Sequence, residues 1–215
     1  MSNTTSPLTL IILGLQGSGK GTQAQMLVNK QGFFMVDTGN LIRKAIKNGN
    51  LSARDKKLTT EGKLISMDGS AKLIEDAIKK AGDKKSIVID GFPRSMGQLY
   101  KLLKILRNTK RIDGYQALFI RINKKTVLER VLTRTICTKC GKILMADQKK
   151  CECGGVAEKR ADDRLELIKN RLKFVSKNLD AIKAYFKKQK KLIVINGEQS
   201  PAGVYSEIKK KTGLS

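Results

Sequence analysis

The sequence predicts an α/β fold, a parallel sheet wrapped by helices, and three observations predict it. Short apolar runs of the kind that form buried strands recur along the chain, amphipathic stretches lie between them, and a single polar segment interrupts the alternation. In order, LTLIILGL (8–15) is the first strand and runs into a glycine-rich turn, and amphipathic stretches at 21–30, 39–48 and 71–81 follow as helices. SIVIDGF (86–92) is the next strand, 98–108 a helix, YQALFIRI (115–122) a strand and 124–133 a helix. Residues 134–160 are rich in Gly, Lys and Cys and too polar for a core layer, so they read as a small inserted subdomain. A long helix at 162–188 and the strand KLIVING (191–197) complete the pattern. In parallel sheets of this kind ligands bind at the C-terminal ends of the strands, and the motifs below fall at those ends.

Composition narrows the function. A chain of 215 residues with 40% hydrophobic content is one domain's worth and can bury a core, which excludes disorder. No basic cluster precedes the first apolar run, and Leu10–Leu15 is too short to span a bilayer, so the chain reads as soluble and cytoplasmic, with no membrane partner. The net charge of +25 points to a polyanion. The excess lysines lie in short surface-type runs with few aromatics between them, so a solvated surface is preferred to a nucleic-acid face. There is no histidine, so no step can use an imidazole and any metal must be held by other ligands. The four cysteines sit together as CTKC (137–140) and CEC (151–153), unlike scattered disulfides.

GLQGSGKGT (14–22) carries the sharpest chemistry. Gly14, Gly17, Gly19 and Gly21 let the backbone turn its N–H groups onto a phosphate, the following helix adds its positive end, and Lys20 adds a mobile charge. The usual hydroxyl after the lysine is displaced: Gly21 stands there and Thr22 follows. Mg²⁺ would then be held through phosphates, waters and Thr22, with Asp90 at the end of its strand orienting the waters. This form of the loop resembles that of the nucleoside monophosphate kinases, in their adenylate kinase branch, with Gln16 where proline is usual. DTGNLIR (37–43) and DGFPRSMGQ (90–98) resemble two further segments of that family, and RADDRLELIKNRL (160–172) and NGEQSPAGV (196–204) two more, so the resemblance runs from Leu10 to Gly213.

The resemblance implies a P-loop kinase fold, with residues 1–215 as a single domain carrying a monophosphate-binding subdomain at 37–66 and a lid at 133–163. It implies reversible phosphoryl transfer from Mg·ATP to AMP, giving two ADP, by a monomer. The donor would meet Gly17, Ser18, Gly19, Lys20, Gly21, Thr22, Arg130, Arg134, Ile143, Leu144 and Gln199. The acceptor would meet Thr38, Arg43, Lys63, Leu64, Ile65, Gly91, Phe92, Pro93, Arg94, Gln98, Arg160 and Arg171. Lys20, Asp90, Arg94, Arg134, Arg160 and Arg171 would serve catalysis, since a loose phosphoryl-transfer transition state asks chiefly for positive charge. Asp162 and Asp163 would pair with these arginines on closure. Thr38 and Gln98 favour adenine, because pyrimidine-preferring relatives tend to carry alanine and asparagine there; read alone, Thr38 also suits a helix N-cap. Cys137, Cys140, Cys151 and Cys153 suit a structural Zn²⁺ in the lid, reduced thiols or a disulfide being the alternatives, although the family's second pair is usually C-x-x-C. Asp37, Asn40 and ISMDGSAKL (65–73) also depart from the family pattern. Two other readings stay open: a monophosphate kinase for UMP, CMP or GMP, and a basic zinc-containing nucleic-acid-binding protein with a vestigial kinase site.

Overall fold

A computed structural model describes residues 7–61, 65–133, 135–141, 143–144, 148–159 and 165–214 of the chain. Strand β1 (Thr9–Leu13) is buried at every position, because both faces of the sheet are covered. Ile11 and Leu13 join one core cluster while Leu10 and Ile12 join the other, as the two-residue period of a strand requires. After β1 come α1 (Lys20–Gln31), β2 (Phe34–Asp37), α2 (Thr38–Lys47), α3 (Ala53–Thr60), α4 (Met67–Ala81) and β3 (Ile87–Asp90). The chain continues through α5 (Met96–Asn108), β4 (Tyr115–Arg121) and α6 (Lys124–Thr133). Three short strands follow, β5 (Thr135–Cys137), β6 (Ile143–Leu144) and β7 (Ala157–Lys159), then α7 (Leu165–Lys188), β8 (Leu192–Asn196) and α8 (Pro201–Thr212).

The main sheet has the order β2-β3-β1-β4-β8, with every pair parallel. The chain therefore sets β2 at one edge, returns to place β3 between it and β1, and then crosses to build β4 and β8 on the other side of β1, so a crevice opens at the C-terminal end of β1 where the direction reverses. Register brings Asp90 level with Ile12 on one side and with Asp37 on the other, so both acids stand at the crevice. Helices α4, α5 and α7 cover one face, with Ile74, Leu102 and Phe186 fully buried there; α1 and α8 cover the other through Leu27 and Ile208. The segment after α6 forms its own antiparallel sheet, β6-β5-β7, around a small cluster of Cys137, Leu144 and Cys151.

All four predicted strands form, and several helix starts move. Helix α2 begins at Thr38 because the Asp37 side chain accepts from Asn40 N, so the N-cap is Asp37 and not Thr38. Helix α4 begins at Met67, four residues before its apolar stripe, because Ser66 caps it; Ser95 does the same for α5 at Met96. Strands β2, β5, β6 and β7 and helices α3 and α8 have no counterpart among the predicted runs. Among the described residues no helix is long and apolar enough to cross a membrane.

Candidate active site

Helix α1 opens unlike α2, α3, α4, α5, α6 and α8. Asp37, Ser52, Ser66, Ser95 and Ser200 cap α2, α3, α4, α5 and α8 through side-chain oxygens, and Asn123 caps α6 by accepting from Thr126 N. The N-cap of α1 is Gly19, left-handed at φ 90°, with no side-chain cap and no acid in the first turn. Its N–H groups and its positive end are thereby left to an anion, as a phosphate cradle requires. Gly17, at φ 81°, has no room for a side chain: a Cβ there would lie 2.8 Å from Val131 Cγ2 and 2.9 Å from the Val127 carbonyl. Helix α6 thus packs directly on the loop. Lys20 Nζ donates to the Leu15 carbonyl at 2.7 Å, folded back over its own loop.

The crevice is a cleft of about 1230 Å³. The loop residues Gly17, Ser18, Gly19, Lys20, Gly21 and Thr22 line its floor. Asp90, Gly91, Phe92, Pro93 and Arg94 line the next wall, and Arg43 approaches from α2. Arg130 enters from α6, Gln199 from the loop after β8, and Ile143 and Leu144 from β6. Four positively charged side chains, Lys20, Arg43, Arg94 and Arg130, thus converge with a bare helix N-terminus, which suits two phosphate chains meeting end to end.

On the side of α2, a Cβ at Gly39 would sit 3.2 Å from Arg43 Nη1 and 3.3 Å from Asp37 Oδ1, which brings that guanidinium and the cap together. A Cβ at Gly91 (φ +84°) would lie 3.2 Å from Arg94 Nη2 and 3.6 Å from Thr38 Cβ. Arg94 Nε donates to the Gly91 carbonyl at 2.8 Å. Thr38, Ile65 and Gln98 are buried behind this wall and do not line the cleft. The Gln98 amide is oriented: its Oε1 accepts from Arg94 N at 2.7 Å, and its Nε2 faces Ser70 Oγ at 3.5 Å. Thr38 Oγ1 is buried with no hydrogen-bond partner among the described residues. The polar character of residues 65–73 has a local cause. Burial alone would push the Asp55 carboxyl up, but the Ser66 N–H (2.7 Å), the Ser52 and Ser66 hydroxyls and nearby Arg54 outweigh it and hold it below the usual range.

The small sheet β6-β5-β7 lies on the cleft. A Cβ at Gly21 would fall 2.6 Å from Ile143 Cδ1 and 3.3 Å from Asp90 Oδ2, so the glycine at the usual hydroxyl position admits the isoleucine of β6 and an acid. On the far side, a Cβ at Gly141 would lie 3.5 Å from Asn40 Oδ1. These contacts of Gly17, Gly21 and Asn40 join segments remote in sequence, and no local pattern signals them. For Mg²⁺, Asp90 and Thr22 offer oxygen donors at the phosphate floor, a set that fits a hard cation held partly through water.

The four cysteine sulfurs all lie within 4.8 Å of one another, with Cys137–Cys153 at 3.4 Å and Cys140–Cys151 at 3.7 Å. Bonds of about 2.3 Å in a tetrahedron separate sulfurs by about 3.8 Å, so the donor set fits Zn²⁺. The Cys140 N–H, 3.5 Å from Cys137 Sγ, is the chief cause that pulls the Cys137 thiol down to about 6, toward the thiolate a metal needs. Gly155 packs on Cys137 Sγ and on Lys139 so closely that a Cβ would overlap both.

Lys63, Leu64, Arg134, Arg160, Asp162 and Asp163 lie outside the described residues. Arg171 lies on α7, and of it only the backbone is described.

Comparison with known proteins follows the same line. The family model described as adenylate kinase matches residues 12–191. A protein named adenylate kinase from Fervidobacterium nodosum is 31% identical over 202 residues, covering 90% of this chain and 92% of its own. Another of that name from Geobacillus sp. strain WCH70 is 32% identical over 214 residues, covering 96% and 99%. A third, from Lactobacillus johnsonii, is 32% identical over 214 residues, covering 94% and 97%.

Proposed function

The chain belongs to the adenylate kinase family, and from that premise we propose how its own residues divide the work of the ATP:AMP phosphotransfer it catalyses. The observation that carries the proposal is the uncapped N-terminus of α1, with Lys20, facing Arg43 and Arg94 across one cleft. The donor's phosphates occupy the loop Gly17–Thr22, and Lys20 leaves the Leu15 carbonyl to follow the transferred group. Arg130 and Gln199 flank the donor adenine, and Ile143 and Leu144 close over it. The acceptor's phosphate is forked by Arg43 and Arg94 beside Gly91, Phe92 and Pro93, while Lys63, Leu64 and Ile65 meet its base. Thr38 and Gln98, buried behind the wall in this conformation, read the adenine edge once segment 37–66 shifts to admit the acceptor, a role that the unpartnered Thr38 hydroxyl and the fixed Gln98 amide support.

Arg134, Arg160 and Arg171 complete the charge around the transferring group. Since the nucleophile is already a phosphate oxygen, positioning and electrostatics supply the catalysis and no general base is needed. Asp90 and Thr22 would hold Mg²⁺ through oxygen and water, and the ion would supply positive charge to the donor phosphates. Closure of the lid, 133–163, and the monophosphate-binding segment, 37–66, keeps water from the phosphoryl group. The four cysteines would hold a structural Zn²⁺, whose chemistry there would be to cross-link the lid. The enzyme is a cytoplasmic monomer whose partners are ATP, AMP and ADP, without nucleic acid.

Arg94→Lys tests the acceptor assignment. It keeps the charge and removes the fork, and is expected to lower kcat/KM for AMP about 100-fold, the scale of one lost preorganised donor. An unchanged kcat/KM would remove Arg94 from the site.

A further inference from the structure

Helix α6, which carries Arg130, begins with Lys124 and Lys125 and has no acid in its first turn, the wrong charge for a positive helix end. A carboxylate from another element supplies it. Glu198, in the loop after β8, accepts from Asn123 N at 2.6 Å through Oε1 and from the Thr126 hydroxyl at 3.0 Å through Oε2. The Asn123 N–H is the main cause that holds this carboxyl below its usual range; burial opposes it, and the Thr126 hydroxyl and Arg130 add to it. The residue before Glu198 is tied to the same helix: the Gly197 carbonyl accepts from Arg130 Nη1 at 3.1 Å. Gly197 is itself seated without slack. Its N–H donates to the Arg121 carbonyl at 2.8 Å, and a Cβ on it would come within 2.6 Å of Ile120 and Ile122 side-chain carbons. Further along α6, Val127 and Val131 pack on Gly17 of the phosphate loop. The helix is thus held between the 197–199 loop and the floor of the donor site.

We propose that Glu198 is a positioning residue for the donor nucleotide: its carboxylate ties the 197–199 loop to the start of α6 and so sets Arg130 and the seat of α6 on the phosphate loop. Glu198 touches no nucleotide itself. The proposal rests on reading Arg130 and Gln199 as the donor adenine's neighbours.

The test compares Glu198→Ala, Glu198→Gln and Thr126→Val with the wild type. Steady-state kinetics are read with ATP and AMP varied separately, ATP binding by calorimetry without acceptor, and folding by thermal melts. Glu198→Ala is expected to raise KM and Kd for ATP about 5- to 10-fold, the scale of one or two lost hydrogen bonds, with kcat and the KM for AMP within about 2-fold. Glu198→Gln keeps one acceptor and falls between, and Thr126→Val shifts ATP in the same direction by about 2- to 3-fold. A folded Glu198→Ala protein with unchanged ATP affinity, or one that loses AMP and ATP affinity equally, overturns the proposal. If the alanine variant does not fold, the glutamine and valine variants carry the same comparison. Calorimetric ATP binding is independent of turnover, so a wild type that fails to phosphorylate AMP sinks the kinase reading and leaves this comparison to be decided.

Discussion

The buried Thr38 hydroxyl sets up opposite effects on stability and binding. Thr38 is 4% exposed and is the first residue of α2, and its hydroxyl has no hydrogen-bond partner among the described residues. A buried hydroxyl left unpaired costs about 1–3 kcal/mol, so Thr38→Val, which keeps the shape and removes the oxygen, is expected to stabilise the free protein by about 1 kcal/mol. For a chain of this size that raises Tm by about 2–4 °C. If the hydroxyl exists to meet the acceptor base, the same change removes one hydrogen bond from the bound state and raises the KM for AMP about 5- to 10-fold, leaving the KM for ATP unchanged. Thr38→Ser, which keeps the oxygen, should retain AMP affinity. Thermal melts and initial rates with AMP varied check both halves. A destabilised valine variant with normal AMP affinity would refute the reasoning, since it would mean that the hydroxyl is satisfied within the fold.

Gly17→Ala combines a left-handed backbone, worth about 1–2 kcal/mol, with overlap against the Val127 carbonyl, worth about 1–3 kcal/mol. It should lower Tm by about 5–15 °C and weaken ATP binding, and a melt within a degree of wild type would show that α6 does not rest on the loop. Gly155→Ala drives a Cβ onto Cys137 Sγ and should lower bound zinc from about one per chain to well under one, read by metal analysis of the purified protein; a full complement in the variant would contradict the packing. The Asp55 carboxyl lies below its usual range in the fold, so its contribution is complete above the unfolded value of about 3.9 and is lost as pH falls through the lower folded value. Asp55→Asn should therefore cost about 1–3 kcal/mol at neutral pH and flatten the acid limb of the stability curve, whereas an unaltered limb in urea melts would count against the Ser66 contacts.

What the sequence revealed was what is encoded locally. The TLIIL strand and the GLQGSGKGT loop were legible because apolarity and glycine spacing are properties of contiguous residues, and the structure puts Gly17–Thr22, Arg43, Asp90, Arg94 and Arg130 around one cleft. Strand β2 escaped because FMVD is short, lies at the sheet edge and is only partly buried, so its apolar signal is weak. Helix starts escaped because Asp37, Ser52, Ser66 and Ser95 set them, not the apolar period. Reading Thr38 as a cap was off by one residue, and the correction leaves its hydroxyl without a structural task. The contacts of Gly21 with Ile143, of Gly141 with Asn40 and of Glu198 with α6 join segments tens of residues apart, and only the fold reveals them.

The central claim is that this site phosphorylates AMP. Initial rates with AMP, GMP, CMP and UMP as acceptors, compared side by side at fixed Mg·ATP, test it most directly. The account predicts that AMP is turned over well ahead of the other three and that Lys20→Met abolishes the reaction. Turnover of CMP or UMP above AMP, or a rate that survives the loss of Lys20, would contradict it.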